Sequence, residues 1–153
     1  MPTNLYGPRD NFAIHDSHVL PALVRKFVDA VRSHDSFVEL WGDGSPIREF
    51  LHVEDCAKAI LLAVEQYNEE SHLNIGSSEE ISIRELADLI ARLSGFRGEI
   101  IWNSGMPNGT PRKVLDSTRM RSLGWSPTIS LEKGIESTIA WYKSAVELGV
   151  ARL

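Results

Sequence analysis

The stretch REFLHVEDCAKAILLAVEQY, residues 48–67, joins a strand pattern directly to a helix pattern. Residues 48–53 form a short extended apolar segment, and apolar side chains recur at helical spacing after it. The residues expected to form that apolar helix face are Cys56, Ile60, Val64 and Tyr67. A strand that leads directly into a helix is typical of proteins in which helices pack on a sheet.

The rest of the chain repeats this alternation. Besides 54–67, helices are predicted over 17–33, 81–95, 117–125 and 129–149, and besides 48–53, strands are predicted over 37–41, 72–76 and 98–102. Ser82 and Glu85 have the spacing of a capping box at the start of the clearest helix. Residues 103–116 are predicted to be a long polar loop, and loops of that length are typically functional or disordered. The alternation indicates an α/β or mixed α+β fold.

Composition and charge exclude several classes of function. The chain has 153 residues, of which 42% are hydrophobic and 24% charged, as in an ordinary globular domain. Its net charge of −5 gives no electrostatic support for a nucleic-acid partner. No apolar run approaches the ~18 residues needed to span a bilayer, so no membrane partner is expected. The single cysteine, Cys56, excludes an internal disulfide and fits the reducing cytoplasm, where we expect the protein to reside.

Metal and nucleophilic chemistry find no support in the sequence motifs. No histidine or cysteine pair has the ligand spacing C-x-x-C or H-x-x-x-H, so no metal site is predicted. There is no G-x-S-x-G elbow, and Cys56 falls on an apolar helix face, where a core role is more common than a reactive one. The glycine-rich motifs that bind dinucleotides or phosphates are also absent, and Gly42–Gly44 precedes Pro46 in what we interpret as a turn.

Cations beside loops are the signal that remains. They are Lys26, Arg48, Arg112 and Lys113. Each alone is most simply a solvated side chain. Arg48 differs because it lies between a Gly/Pro turn and an apolar strand, with Trp41 upstream. An aromatic ring can stack on a base while cations bind the pyrophosphate, so this pattern favours a nucleotide site.

A histidine stands at the start of the first predicted helix. The apolar stripe of that helix runs from Leu20 to Val31 at i, i+3, i+4 and i+7 spacing. His18 and Arg25 fall on the opposite face, with Lys26 to one side. From the residues alone, His18 is either an ordinary polar residue at a helix start or a group that gives a proton to a substrate.

Several motifs carry a resemblance to a known family. In chain order they are PTNLYGPRDNF, SHVLPALVRKF, WGDGSPIREFLHVEDCAKAI, LNIGSSEEISIRELADLIA, NGTPRKVLD and LGWSPTISLEKGI. Together they resemble the extended short-chain dehydrogenases that act on nucleotide sugars. NLYGP and REFLHVEDxA resemble many epimerases and dehydratases of that family. DNF…SHVLPALVRKF and NGTPRKVLD resemble more specifically the branch that epimerises C3 and C5 of GDP-4-keto-6-deoxy-D-mannose and reduces C4 with NADPH.

The resemblance implies how this chain relates to a whole enzyme of the family. Residues 1–153 would be the C-terminal, nucleotide-sugar-binding portion, without the N-terminal Rossmann half that binds NADP. Residues 1–8 and 72–76 would be strands that complete the sheet of that half. The opening MPTNLYGPRDNF begins directly with loop residues, which also leads us to expect a chain cut from a longer protein. The isolated chain would be inactive, and the whole enzyme would be a homodimer.

The resemblance also implies roles for individual residues. His18 would be the acid that reprotonates the sugar carbanion, and its partner cysteine would lie outside this chain, because the motif around Cys56 does not match. The residues that would contact the GDP part are Lys26, Trp41, Arg48 and Lys113. Asn4 and Leu5 would contact the nicotinamide end of NADP. Lys26 keeps the charge of an arginine but lacks the planar fork that binds phosphate in a bidentate manner.

Two alternatives to this assignment remain open. The chain can belong to another nucleotide-sugar epimerase or dehydratase, in which case the base contacts around Trp41 and Lys113 decide the substrate. It can also be a standalone nucleotide-sugar-binding module with no catalytic role. The relative affinities for GDP, UDP and dTDP separate the first alternative from a GDP-sugar enzyme.

Overall fold

A computed structural model describes residues 1–13 and 16–153 and shows the predicted α/β class. The strands are β1 (Asn4–Tyr6), β2 (Phe37–Trp41), β3 (Ile47–His52), β4 (Glu80–Ser82), β5 (Glu99–Asn103) and β6 (Arg112–Lys113). The helices are α1 (Val19–Ser33), α2 (Val53–Gln66), α3 (Ile83–Ser94), α4 (Thr118–Ser122) and α5 (Leu131–Glu147). No helix within the described ranges is long and apolar enough to cross a membrane.

The strands form two sheets, and β3 is the centre of the larger one. It pairs in parallel with β1 and β6 and antiparallel with β4, while β2 and β5 form a separate parallel pair. The last residue of β3, His52, is also the N-cap of α2, so the strand and the helix follow each other without a loop, as predicted. The parallel strands β1 and β3 end at the same edge of the sheet, because Tyr6 and His52 are register partners.

The core lies mainly between the helices and is the part best predicted by periodicity. The stripe of α1 is buried as expected, including Leu20, Val24 and Phe27. This stripe meets α3 and α5 in the larger hydrophobic cluster, and a smaller cluster lies between β3, α2 and α4. The capping box of Ser82 and Glu85 is confirmed at the N-terminus of α3.

Two predicted segments differ in the structure. Over 72–76 only Ile75 makes a β-bridge, to Pro2, because Met1 and Thr3 supply the backbone partners on one side. Within the predicted loop 103–116, Arg112 and Lys113 form β6, anchored by the Ile47 N–H, which donates to the Pro111 carbonyl at 2.8 Å.

The apolar face predicted for α2 is only partly buried. Cys56 is 2% exposed, as expected, but Ile60 is 50% and Val64 80% exposed, and their neighbour Leu61 is 66% exposed. Nothing within the described ranges covers this part of the helix. An exposed apolar patch on a helix is typical of a surface that contacts another part of a protein or a partner.

Candidate functional site

A cavity of about 460 Å³ opens where β1 and β3 end. Residues 2–10 form most of its lining, together with His18, Val53 and Lys113. The carboxyl edge of parallel strands is the usual position of ligand sites in open α/β sheets, because the loops that follow the strands converge there. The geometry therefore places the candidate site at the end of the strand predicted from NLY and beside the histidine of α1.

His18 lies on the wall of this cavity as the N-cap residue of α1. Its backbone is extended, its side chain is exposed, and that side chain makes no capping hydrogen bond to the helix. The imidazole is thus not used to stabilise the helix start.

Asp10 is a cavity residue that the sequence did not reveal. Burial raises the pKa of its carboxyl group, while the Asn11 N–H, which donates to it at 2.7 Å, and the nearby His18 imidazole act in the opposite direction. Asp10 and His18 both line this cavity, so a carboxyl group and an imidazole lie in the same site. The only sequence signal was position, since Asp10 lies in the loop that directly follows β1.

Lys113 and Arg48 are neighbours on adjacent strands. They are register partners in the parallel pairing of β3 with β6, so their side chains lie on the same face. Lys113 is exposed and lines the cavity, whereas one Arg48 nitrogen donates to the Ile47 carbonyl at 2.8 Å. Arg112, the fourth cation singled out in the sequence, instead forms an exposed ion pair with Glu80 at 2.6 Å.

Lys26 and Trp41 lie outside the cavity, on the side of β2. The Lys26 ammonium donates to the Glu39 carbonyl at 2.9 Å. Burial lowers the pKa of Lys26, and nearby Glu39 acts in the opposite direction. Trp41 ends β2 and is 63% exposed, so its ring face is accessible.

The loop before β6 connects the pair Arg48 and Lys113 with the side of β2 where Lys26 and Trp41 lie. The Asp43 N–H, in the turn after Trp41, donates to the Asn108 side-chain oxygen at 2.8 Å. At the next residue of the loop, Gly109, an added Cβ would lie 3.8 Å from the Arg48 guanidinium. The loop thus runs from the Trp41 turn to Arg48. Of the four predicted GDP contacts, Lys113 lines the cavity and Arg48 is its strand partner, whereas Lys26 and Trp41 are not part of the lining.

Asn4 and Leu5 lie in β1 and line the cavity from the sheet side. The Asn4 amide nitrogen donates to the Glu49 carbonyl at 2.8 Å, which leaves its side-chain oxygen as an acceptor. Leu5 is partly buried against the smaller hydrophobic cluster. These residues combine a polar acceptor with an apolar wall, which suits a flat amide-bearing ring.

Part of the chain matches a known protein family, and its fold matches solved structures. Residues 1–76 match the sequence profile of the NAD dependent epimerase/dehydratase family, and structural similarity extends over nearly the whole chain. Over these 76 residues the chain is similar to the NAD dependent epimerase/dehydratase family.

Several relatives that resemble this chain are named GDP-L-fucose synthases. The chain is 49% identical over 142 residues to a probable GDP-L-fucose synthase 1 from Oryza sativa, matching 93% of this chain and 43% of that protein. It is 46% identical to GDP-L-fucose synthase from Escherichia coli, over 93% of this chain and 47% of that enzyme. The crystal structure of a GDP-L-fucose synthetase from Naegleria fowleri, also solved with NADP bound, superposes with a TM-score of 0.91 at 30% identity, over 99% of this chain and 47% of that one. The chain thus spans about half the length of the curated relatives it matches.

Proposed function

We propose that this chain forms the GDP-sugar-binding part of a GDP-L-fucose synthase, the enzyme that epimerises C3 and C5 and reduces C4 of GDP-4-keto-6-deoxy-D-mannose. The observation that carries the proposal is one cavity lined by both His18 and Lys113, with Arg48 beside Lys113 on the next strand. A proton donor and phosphate-binding cations are thereby held next to each other, as a nucleotide sugar with a reacting ring requires. The relatives' names support GDP as the nucleotide.

His18 is the proton donor in this proposal. Protons next to the C4 carbonyl are acidic because the enolate spreads the negative charge, so a base can remove one and an acid can return one on the opposite face. His18 gives its proton to the ring carbon, assisted by the Asp10 carboxylate. Cys56 is not the base, because it is 2% exposed in the smaller core cluster and burial raises the pKa of its thiol. We place the base in the part of the relatives that this chain does not match.

NADP is the proposed cofactor, supported by the NADP-bound structure of the Naegleria fowleri relative. Asn4 and Leu5 would hold its nicotinamide end. Asn4 would do so through its side-chain oxygen, since its amide nitrogen already donates to the Glu49 carbonyl. NADPH supplies the hydride that reduces C4. The GDP moiety would be held by Lys113, Arg48, Lys26 and Trp41. The Trp41 ring would stack on the base, and the three cations would bind the pyrophosphate.

The NADP-binding half is proposed to cover the exposed surface near β1. In the described structure, residues 1–8 pair with 72–76 through the Pro2–Ile75 bridge and its adjacent hydrogen bonds, and the apolar residues Ile60, Leu61 and Val64 of α2 are exposed. Such a surface fits a second sheet-containing unit that extends the pairing and buries the helix face. The isolated chain would bind the nucleotide but would not turn over the sugar.

Nucleotide selectivity tests the proposed function. Isothermal titration calorimetry of this chain with GDP, UDP and dTDP is expected to show the highest affinity for GDP. Arg48→Ala should weaken GDP binding by about 10- to 100-fold, because a charge-assisted hydrogen bond to phosphate is worth ~1.5–3 kcal/mol. Arg97→Ala is the matched control, since Arg97 is also an arginine but, unlike Arg48, is not the strand partner of the cavity residue Lys113. Equal affinity for the three nucleotides would contradict the proposal.

A further inference from the structure

A buried carboxylate lies directly under the proposed phosphate site. Glu49 follows Arg48 in β3 and is 0% exposed. Because side chains alternate along a strand, Glu49 points to the face opposite Arg48 and does not compete with an anion bound there. Burying a charge is costly unless hydrogen bonds compensate it, so the groups that compensate Glu49 indicate what it holds.

Those groups are backbone N–H donors from two separate segments. The Leu115 N–H donates to one Glu49 oxygen at 2.6 Å, and the Ser78 N–H donates to the other at 2.9 Å. Gly76 allows this close approach, because a Cβ there would lie 2.7 and 2.8 Å from the two carboxylate oxygens. In addition, the Glu49 carbonyl accepts from the Asn4 amide at 2.8 Å. One residue thus connects β1, the turn at 76–78 and the segment after β6.

The contact to Leu115 fixes the strand that carries Lys113. That short strand is also held by its parallel pairing with β3, by the Ile47 N–H, which donates to the Pro111 carbonyl, and by the Arg112–Glu80 ion pair. The ion pair is exposed, and exposed pairs contribute little to holding a geometry. On the C-terminal side of Lys113, the buried bond to Glu49 is the strong anchor.

We propose that Glu49 is a positioning residue for the anion site: its carboxylate holds the segment with Lys113 beside Arg48, and so sets the spacing of the two cations. This inference rests on the proposed function for the identity of the anion, the pyrophosphate of GDP. Glu49 itself does not contact the ligand. Its loss leaves both cations present but lets Lys113 move away from Arg48.

Inorganic pyrophosphate, titrated calorimetrically into this chain, is the probe. Glu49→Gln should weaken its binding about tenfold, because one N–H donor then faces an amide nitrogen and the segment is released. Asp55→Asn is the matched control. Asp55 is also 0% exposed and also accepts from two backbone N–H groups, of Thr128 and Ile129, but these lie in the connection to α5. Asp55→Asn should lower thermal stability about as much as Glu49→Gln does, and it should leave the pyrophosphate affinity unchanged.

A double-mutant cycle separates positioning from general destabilisation. In the Lys113→Ala background, Glu49→Gln should weaken pyrophosphate binding no further, since its effect passes through Lys113. If the two effects simply add, or if Asp55→Asn weakens binding as much as Glu49→Gln, the proposal is overturned.

Hydrogen exchange gives a readout on the wild-type chain that needs no variant to fold. The Leu115 amide should exchange at least about tenfold more slowly than the amides of the exposed residues 109–110, because its hydrogen is held by a buried carboxylate. Exchange as fast as in those residues would overturn the proposal. A wild-type chain that binds pyrophosphate but does not prefer GDP would overturn the proposed function alone. The double-mutant cycle of Glu49 and Lys113 would then still test the positioning role of Glu49.

Discussion

Replacing His18 with asparagine is expected to lower turnover by ~10²–10⁴-fold, the usual contribution of a positioned general acid. The side chain lines the cavity and has no capping role in α1, so the substitution removes a proton donor and leaves the helix start intact. GDP affinity should change by less than about threefold, because the cations that would bind the phosphates are retained. This is the result that distinguishes an acid from a substrate-binding residue.

The measurement uses a chimera in which this chain replaces the matching 47% of the Escherichia coli GDP-L-fucose synthase. GDP-L-fucose formation and GDP affinity are compared for the unmodified chimera and its variants. His34→Asn is the matched control. His34 is the C-cap of the same helix, with φ 57°, a conformation that asparagine adopts readily, so activity should be preserved. A His18→Asn chimera with normal turnover would remove His18 from the mechanism.

Local signals predicted the helices better than the strands. The stripe of α1 and the capping box of α3 are defined by residues three or four positions apart in the sequence, and both are found in the structure. By contrast, β4 and β6 have three and two residues, too few for a period, and exist because they pair with β3. The helix pattern of α2 was correct, but periodicity cannot tell whether an apolar face is covered by the same chain.

The candidate site was predictable where residue type alone suggests a role. Cations beside loops and a histidine at a helix start can be recognised in one sequence, and the family resemblance assigned them roles. Asp10 and Glu49 could not be recognised, because a carboxylate in a sequence is most simply a solvated surface group. Their significance comes from tertiary contacts: the proximity of Asp10 to His18, and the burial of Glu49 between segments 29 and 66 residues away in the chain.

Phe27→Ala should produce the largest loss of stability, about 3–5 kcal/mol in the free energy of unfolding. Phe27 is 0% exposed, belongs to the larger core cluster, and contacts Phe96 with ring centroids 5.4 Å apart. Its removal leaves a cavity between α1 and its neighbours that the close-packed core cannot fill. Since a domain of this size is stable by only ~5–15 kcal/mol, urea unfolding should show a large decrease in midpoint.

Phe37→Ala is the matched control, because it removes the same side chain from a position that is 52% exposed. It should cost about 1 kcal/mol or less, since much of that ring remains in water when the chain folds. Equal losses for the two variants would show that α1 is not fixed by its apolar stripe.

The distinction matters for the site, because α1 carries His18 at its start and Lys26 next to Phe27. If packing fixes the helix, Phe27→Ala should also weaken GDP binding at temperatures where the variant is still folded, whereas Phe37→Ala should not.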